Sequence, residues 1–472
     1  MREVVSCLVL SLACLAAGCV PSLDGNAPRE PSKEVPPQFT ASALSSAAPP
    51  QSWREFFEAE QLRSLIEAAL EKNQELNIQL QEIIIARNEV SVRQGEYLPR
   101  VSAGAGVGVE KTSRHTSQGV SDEAHGLGEH LGDFSFGLRS SWEIDVWGKL
   151  RNAAKAANLR YLASIESRNF MVTQIVAEIA RNYVELLALD NQLELLANNI
   201  ELMGKALELV KIEKQAARAT ELAVQRFEAE LLKNKSRRFR LEQERTEAEN
   251  RINFLVGRYP QKVIRDPRTL GNPLPRVASG LPADLLKNRP DIRHAELELE
   301  ASELDVKSAR AAFFPSLSID ADLGYRAFNP RHLLQTPDSL AYSLAGNLTA
   351  PLLNRKAIEA QYRSANARQI QAVFQYEKTV LQAFTEVVNH LARIENLEKE
   401  YDFLSRQVES LTHASEISEI LFQSARAEYT EVLLTRRDLL DAEMERVETR
   451  KQQRLVLIDL YQALGGGWRS GS

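Results

Sequence analysis

Seven histidines and three cysteines are the side chains here best suited to metal, redox or nucleophilic chemistry. His115, His125 and His130 share one Gly-rich stretch, and His125-Gly126-Leu127-Gly128-Glu129-His130 sets two imidazoles around a carboxylate. A helical zinc site needs two His at i and i+4 flanking a Glu. The step here is five and the stretch is Gly-rich, so it reads as a solvated loop that holds no metal. His294 and His390 fall on helical sequence and read as packing or surface residues. Cys7, Cys14 and Cys19 all lie at the N-terminus, so no later disulfide or thiolate site can form. No nucleophile elbow, phosphate loop or dinucleotide fingerprint occurs. The chain therefore reads as a non-enzyme without a cofactor. Its net charge of −6 gives no support to nucleic-acid binding.

Cys19 is the one residue with a chemical destiny of its own. Val4 to Ala17 is an apolar run of signal-peptide length, too short to span a bilayer. It closes on Leu15-Ala16-Ala17-Gly18-Cys19, which resembles a bacterial lipobox. That resemblance implies a signal peptide over 1–18, cleavage before Cys19 and a lipid on its sulfur. Val20, rather than Asp, follows the cysteine, which by analogy with lipoproteins directs the chain to the outer membrane. One lipid anchor holds only marginally, so a second membrane element is expected.

The elements that would supply it come next. Only 22 Gly and 18 Pro in 472 residues leave room for very long helices. Residues 19–52 are rich in Pro, Ser and Ala and read as an extended arm. From Trp53 the chain is two copies of one unit, 53–257 and 283–468, joined by a Pro-rich connector over 258–282 and followed by a tail at 469–472. Pro99 and Pro315 close corresponding segments at an offset of 216. Ala217-Arg218-Ala219 and Ala425-Arg426-Ala427 correspond at 208, so eight extra residues are expected in the loop after the first strand.

Each copy carries two alternating segments, predicted as strands at about 100–110, 133–144, 315–326 and 340–351. In the clearest, Leu317, Ile319, Ala321, Leu323 and Tyr325 oppose Ser318, Asp320, Asp322 and Arg326. Strands of this length, apolar on one face, are the weak signature of a membrane barrel; the same alternation fits a soluble sheet with one wet face. Helices are predicted over about 149–216, 220–254, 284–312 and 430–464. The first, about 100 Å long at 1.5 Å per residue, has a seam through Ile175, Ile179, Leu186, Leu189, Leu196, Met203, Leu207 and Val210. Its four-three spacing is that of a coiled coil. No later segment is a transmembrane helix. Four strands cannot close a barrel, and lipid tolerates no open edge. Three copies would give twelve strands.

Three strings then declare a kinship. Gly280-Leu281-Pro282-Ala283-Asp284 through Asn288-Arg289-Pro290-Asp291, Trp142-Glu143-Ile144-Asp145-Val146-Trp147-Gly148, and the closing Ala463-Leu464-Gly465-Gly466-Gly467-Trp468 resemble those of TolC-like outer-membrane efflux proteins of the NodT type. The resemblance covers nearly all of 53–468. It implies a mainly α fold: a homotrimer with a twelve-stranded outer-membrane barrel continuous with a twelve-helix periplasmic barrel. It also implies a lipid-anchored exit duct of a tripartite pump, fed by a periplasmic adaptor and an inner-membrane resistance-nodulation-division pump. The exit duct of a one-step protein secretion system and a non-conducting periplasmic scaffold are the alternatives.

In this family the periplasmic tip gates the duct, and here the tip departs from pattern. The tip glycines become Ala217 and Ala425, the acid after the first tip becomes Ala223, and the position that often supplies an aspartate ring is Leu434. The expected gate is therefore apolar contact with Arg/Glu pairing, from Thr430, Glu431, Leu434 and Arg437. Arg218 and Arg426, at the turns, are the expected adaptor contacts.

Overall fold

The structure is a computed structural model that describes residues 20–23, 27–39, 52–274, 282–351, 353, 355–424 and 426–468. The signal segment 1–18, Cys19, Ala425 and the tail 469–472 lie outside the described residues. In chain order the elements are α1 (Trp53–Phe56), α2 (Glu60–Lys72), α3 (Gln74–Glu96), β1 (Arg100–Glu110), α4 (Ser117–Ala124), β2 (Leu131–Ile144), α5 (Lys149–Gln215) and α6 (Glu221–Leu255). After a 3-10 turn at Pro267–Gly271 come α7 (Pro282–Asn288), α8 (Pro290–Ala311), β3 (Ser316–Ala327), β4 (Leu340–Thr349), α9 (Lys356–Gln423) and α10 (Tyr429–Ala463).

The single helix expected over 284–312 is two. Pro290 has no N–H and disfavours a helical Arg289 before it, so α7 ends at Asn288 and α8 starts at Pro290. The β1–β2 loop has twenty residues and the β3–β4 loop twelve. That difference of eight accounts for the shift between offsets, and the short helix α4 occupies the longer loop.

Two compact units form, and neither is a sequence repeat. The first comprises residues 83–163 and 295–375 with the described part of 20–31; it holds the sheet. The four strands are antiparallel in the order β1-β2-β3-β4. Register places Ala103, Leu138, Leu323 and Tyr342 in one row on the apolar face, and Ser102, Arg139, Asp322 and Ser343 in the next on the polar face. Gly137 and Gly324 face each other where β2 and β3 press together. A Cβ on Gly137 would stand 2.5 Å from the Leu323 carbonyl oxygen, so no other residue fits.

The second unit comprises 32–82, 164–294 and 376–472, again over their described residues. Its core is the coiled-coil seam: Ile175, Ile179, Leu186, Leu196, Met203, Leu207 and Val210 on α5 are buried, as are Leu397, Leu404 and Val408 on α9. The duplication is visible at atomic scale. Gly257 and Gly465, related by 208, both end a helix at positive φ (73° and 82°), the left-handed closure that glycine makes without a Cβ penalty. A Cβ on Gly257 would meet the Lys72 carbonyl at 2.5 Å, and one on Gly465 the Asn288 carbonyl at 2.6 Å. Lys72 and Asn288 are themselves related by 216.

Candidate functional site

The tips are built from the helix ends upward. Helix α5 stops in a left-handed residue, Ala217 at φ 60°. Its N–H donates to the Lys214 carbonyl at 2.9 Å and that of Arg218 to the Glu213 carbonyl at 2.8 Å. This pair of bonds is a Schellman closure, normally made by glycine. The Thr220 hydroxyl then accepts from the Ala223 N–H at 3.3 Å to start α6. Lys214 and Glu221 form an ion pair across the turn. Beneath it Met203, Leu207, Val210, Ala223, Val224, Phe227 and Leu231 form one buried cluster, with Tyr429 and Leu433 of α10 packed on it. Ala223, where the resemblance implied an acid, is fully buried and unsuited to carry charge.

At the second tip the Arg426 N–H donates to the Leu421 carbonyl at 2.8 Å, the counterpart of the Arg218 bond. Both Arg218 and Arg426 are exposed. The Thr430 hydroxyl lies 3.4 Å from the Glu428 carboxylate. Glu431 and Leu434 stand on an exposed stripe of α10 that continues through Asp438, Asp441 and Glu445; Leu434 is 47% exposed. The Arg437 guanidinium binds its neighbour Asp438 at 3.1 Å. The four candidates therefore share a helix end but make no gate within one chain. Sequence reasoning missed Arg436, which reaches Glu419 on α9 at 2.6 Å and is largely buried. It also missed Asp438, an acid one turn beyond Leu434 on the same stripe. The four-three spacing of the stripe is the signal that could have found Asp438.

On the polar face of the sheet, charges are paired across strands. Arg139 donates to Asp322 at 2.8 Å, and Arg326 makes two bonds of 2.8 Å to Asp133. Asn347 donates to Asp320 at 2.7 Å. The other face is apolar and open, with Val107 80% and Tyr342 79% exposed. Edges β1 and β4 carry no partner strand among the described residues.

The strings that carry the resemblance prove to be braces. Asp145 accepts from the N–H groups of Leu150 at 3.1 Å and Arg151 at 2.8 Å, capping α5 directly after β2. Trp147 stacks on Phe314 and its indole N–H donates to the Pro315 carbonyl at 2.8 Å, tying the first repeat to the root of β3. In the second unit Arg289 is 7% exposed and grips Asp291 at 2.6 Å, Glu386 at 2.9 Å and the Ala463 carbonyl at 3.0 Å. Burial works against its charge, but the carboxylates of Asp291 and Glu386 outweigh that and hold its pKa above the ordinary value. Trp468 donates to the Asn288 carbonyl at 3.1 Å, so the last string closes on the first. None of these groups is arranged for catalysis. Among the described residues no group of three or more His, Cys, Asp or Glu could hold a metal ion. His125 is occupied by the Ser121 carbonyl at 2.7 Å.

A family model described as outer membrane efflux protein matches residues 65–258 and again 281–466. The pyoverdine export outer membrane protein OpmQ of Pseudomonas aeruginosa is 30% identical, covering 98% of this chain and 97% of its own. The probable outer membrane lipoprotein SilC of Salmonella typhimurium is 27% identical over 98% of both chains. The MtrE outer membrane channel of Neisseria gonorrhoeae, solved in its open state, superposes with a TM-score of 0.82 at 25% identity over 95% of this chain and 98% of that one. With sheet, paired helices and duplicated signature residues all accounted for, the chain belongs to the outer membrane efflux protein family.

Proposed function

We propose that three copies of this chain close into a continuous exit duct through the outer membrane, the outer segment of a tripartite efflux pump. The open sheet carries this reading. Four strands whose two outer edges find no partner among the described residues, with an exposed apolar face, cannot stay in lipid alone, because each unmet backbone group there costs several kcal/mol. Two further copies supply the missing edges and give twelve strands, with the polar face turned to a wet lumen. The repeats 53–257 and 283–468, joined through 258–282, would alternate around the helical part.

Conduction in such a duct is passive, and energy enters through an inner-membrane resistance-nodulation-division pump coupled by a periplasmic adaptor. Exposed Arg218 and Arg426 are the proposed adaptor contacts. Thr430, Glu431, Leu434 and Arg437, repeated three times, are the proposed gate, with Leu434 supplying an apolar closure. Cys19 is the proposed acylation site. Its neighbour Val20, with Leu23, packs on the cluster of Val306, Phe313, Tyr362 and Ala365, and Phe313 lies just before β3. Val20 and Leu23 are thereby held near the start of β3, which supports an acyl chain on the neighbouring cysteine entering the membrane there.

Purified mature protein in planar bilayers should run as a heat-sensitive trimer and give uniform current steps. Leu434→Asp should raise open probability, since three carboxylates repel where three leucines meet. Verified trimers that give no current, with or without that substitution, would overturn the duct.

A further inference from the structure

The α6 and α10 helices carry a charge relation that the family's general architecture does not require. Burial confirms their correspondence at an offset of 208: Asn234 and Ala442, Leu241 and Thr449, Ile252 and Leu460 are buried alike. Within the chain an ion pair joins the two helices, Arg237 of α6 to Asp441 of α10 at 3.2 Å. Shifting both partners by 208 converts Arg237 into Glu445 and Asp441 into Lys233. The contact that one chain makes from repeat 1 to repeat 2 thus has a counterpart from repeat 2 to repeat 1, with both signs reversed and still opposite.

We propose that Glu445 of each copy pairs with Lys233 of the next, so that an electrostatic clasp closes every junction between copies. This rests on the trimeric closure proposed above. Glu445 is exposed and makes no ion pair among the described residues. Lys233 is exposed and among the described residues its ion pair is with Glu230, three residues back on its own helix, at 3.0 Å. Beside Lys233, Leu232 is 58% and Phe239 71% exposed, an apolar surface on the face that a second copy would cover. The sign reversal also selects order. A junction of two second repeats would set Glu445 against Asp441, and one of two first repeats would set Arg237 against Lys233. Like charges in contact reject both pairings, so only alternating repeats close the ring.

The full-length protein carrying Lys233→Cys and Glu445→Cys should, on oxidation, give covalent dimers and trimers in denaturing gels. Each single variant controls for Cys19 and should not. Arg237→Cys with Asp441→Cys should cross-link within one chain and add no such ladder. Charge reversal gives a second reading. Glu445→Lys should lower the dissociation temperature of the detergent-resistant trimer, and Glu445→Lys with Lys233→Glu should restore it. Intact trimers with neither the ladder nor the rescue would overturn the clasp alone. If the cysteine pair blocks assembly, rescue by charge exchange decides. Absence of any trimer in the unaltered protein would instead overturn the closure on which the clasp depends.

Discussion

At the scale of single residues, two groups sit in states their types do not prefer. Ala217 occupies the left-handed region at φ 60°, which costs a residue with a Cβ about 1–2 kcal/mol. Glycine would relieve that but loses about 0.4–1 kcal/mol through its freer unfolded chain. Ala217→Gly should therefore stabilise the second unit by about 0.5–1 kcal/mol, seen as a higher thermal midpoint, whereas Ala217→Val should lower it. His390 is half-buried beside Asp459, Glu386, Arg393 and Arg181, and burial, against the pull of the two carboxylates, depresses its pKa below 6.5. A histidine kept neutral by the fold adds stability above its unfolded pKa and loses it as pH falls through the folded one. His390→Gln should flatten the decline in thermal midpoint as the solution is acidified below about pH 6.5; an unchanged pH profile would remove His390 from that account.

Among elements, the sheet depends on a contact that propensity would never suggest. Gly324 and Gly137 are poor strand formers, yet a Cβ on Gly324 would strike the Phe136 carbonyl oxygen and stand 2.7 Å from the Gly137 Cα. Gly324→Val, favourable by β propensity, should instead disrupt the β2–β3 ladder and reduce the yield of heat-modifiable trimer in outer-membrane fractions several-fold. Gly346→Val on β4, where a Cβ meets nothing within 4 Å, should be tolerated in the same assay. The α7–α8 break at Pro290 and the grip of Arg289 on Asp291 show the same principle in helices. A local rule is broken where a distant backbone segment must be held.

For the whole molecule, the proposed lipid on Cys19 and the proposed barrel would share the anchoring unequally. A single lipid gives marginal membrane binding, while a closed barrel buries its entire apolar face in the bilayer. Cys19→Ser should therefore leave assembled protein in the membrane fraction after a high-salt wash and preserve its single-channel current. Release into the soluble periplasmic fraction would show that the lipid, not the sheet, holds the protein.

Much of this was legible from the chain alone, because hydrophobic periodicity is a local property. The four-three seam from Ile175 to Val210 and the alternation from Leu317 to Tyr325 determine helix and strand without knowledge of any partner. The offsets of 216 and 208 likewise established the duplication and its extra loop residues, and three short strings carried the family. Tertiary structure alone decided which distant groups meet. Arg289 finds the Ala463 carbonyl 174 residues away and Trp468 finds the Asn288 carbonyl 180 residues away, while Arg436 turns to Glu419 and Arg437 to Asp438. An arginine beside several carboxylates selects its partner by reach and burial, which depend on how helices pack rather than on spacing along one of them.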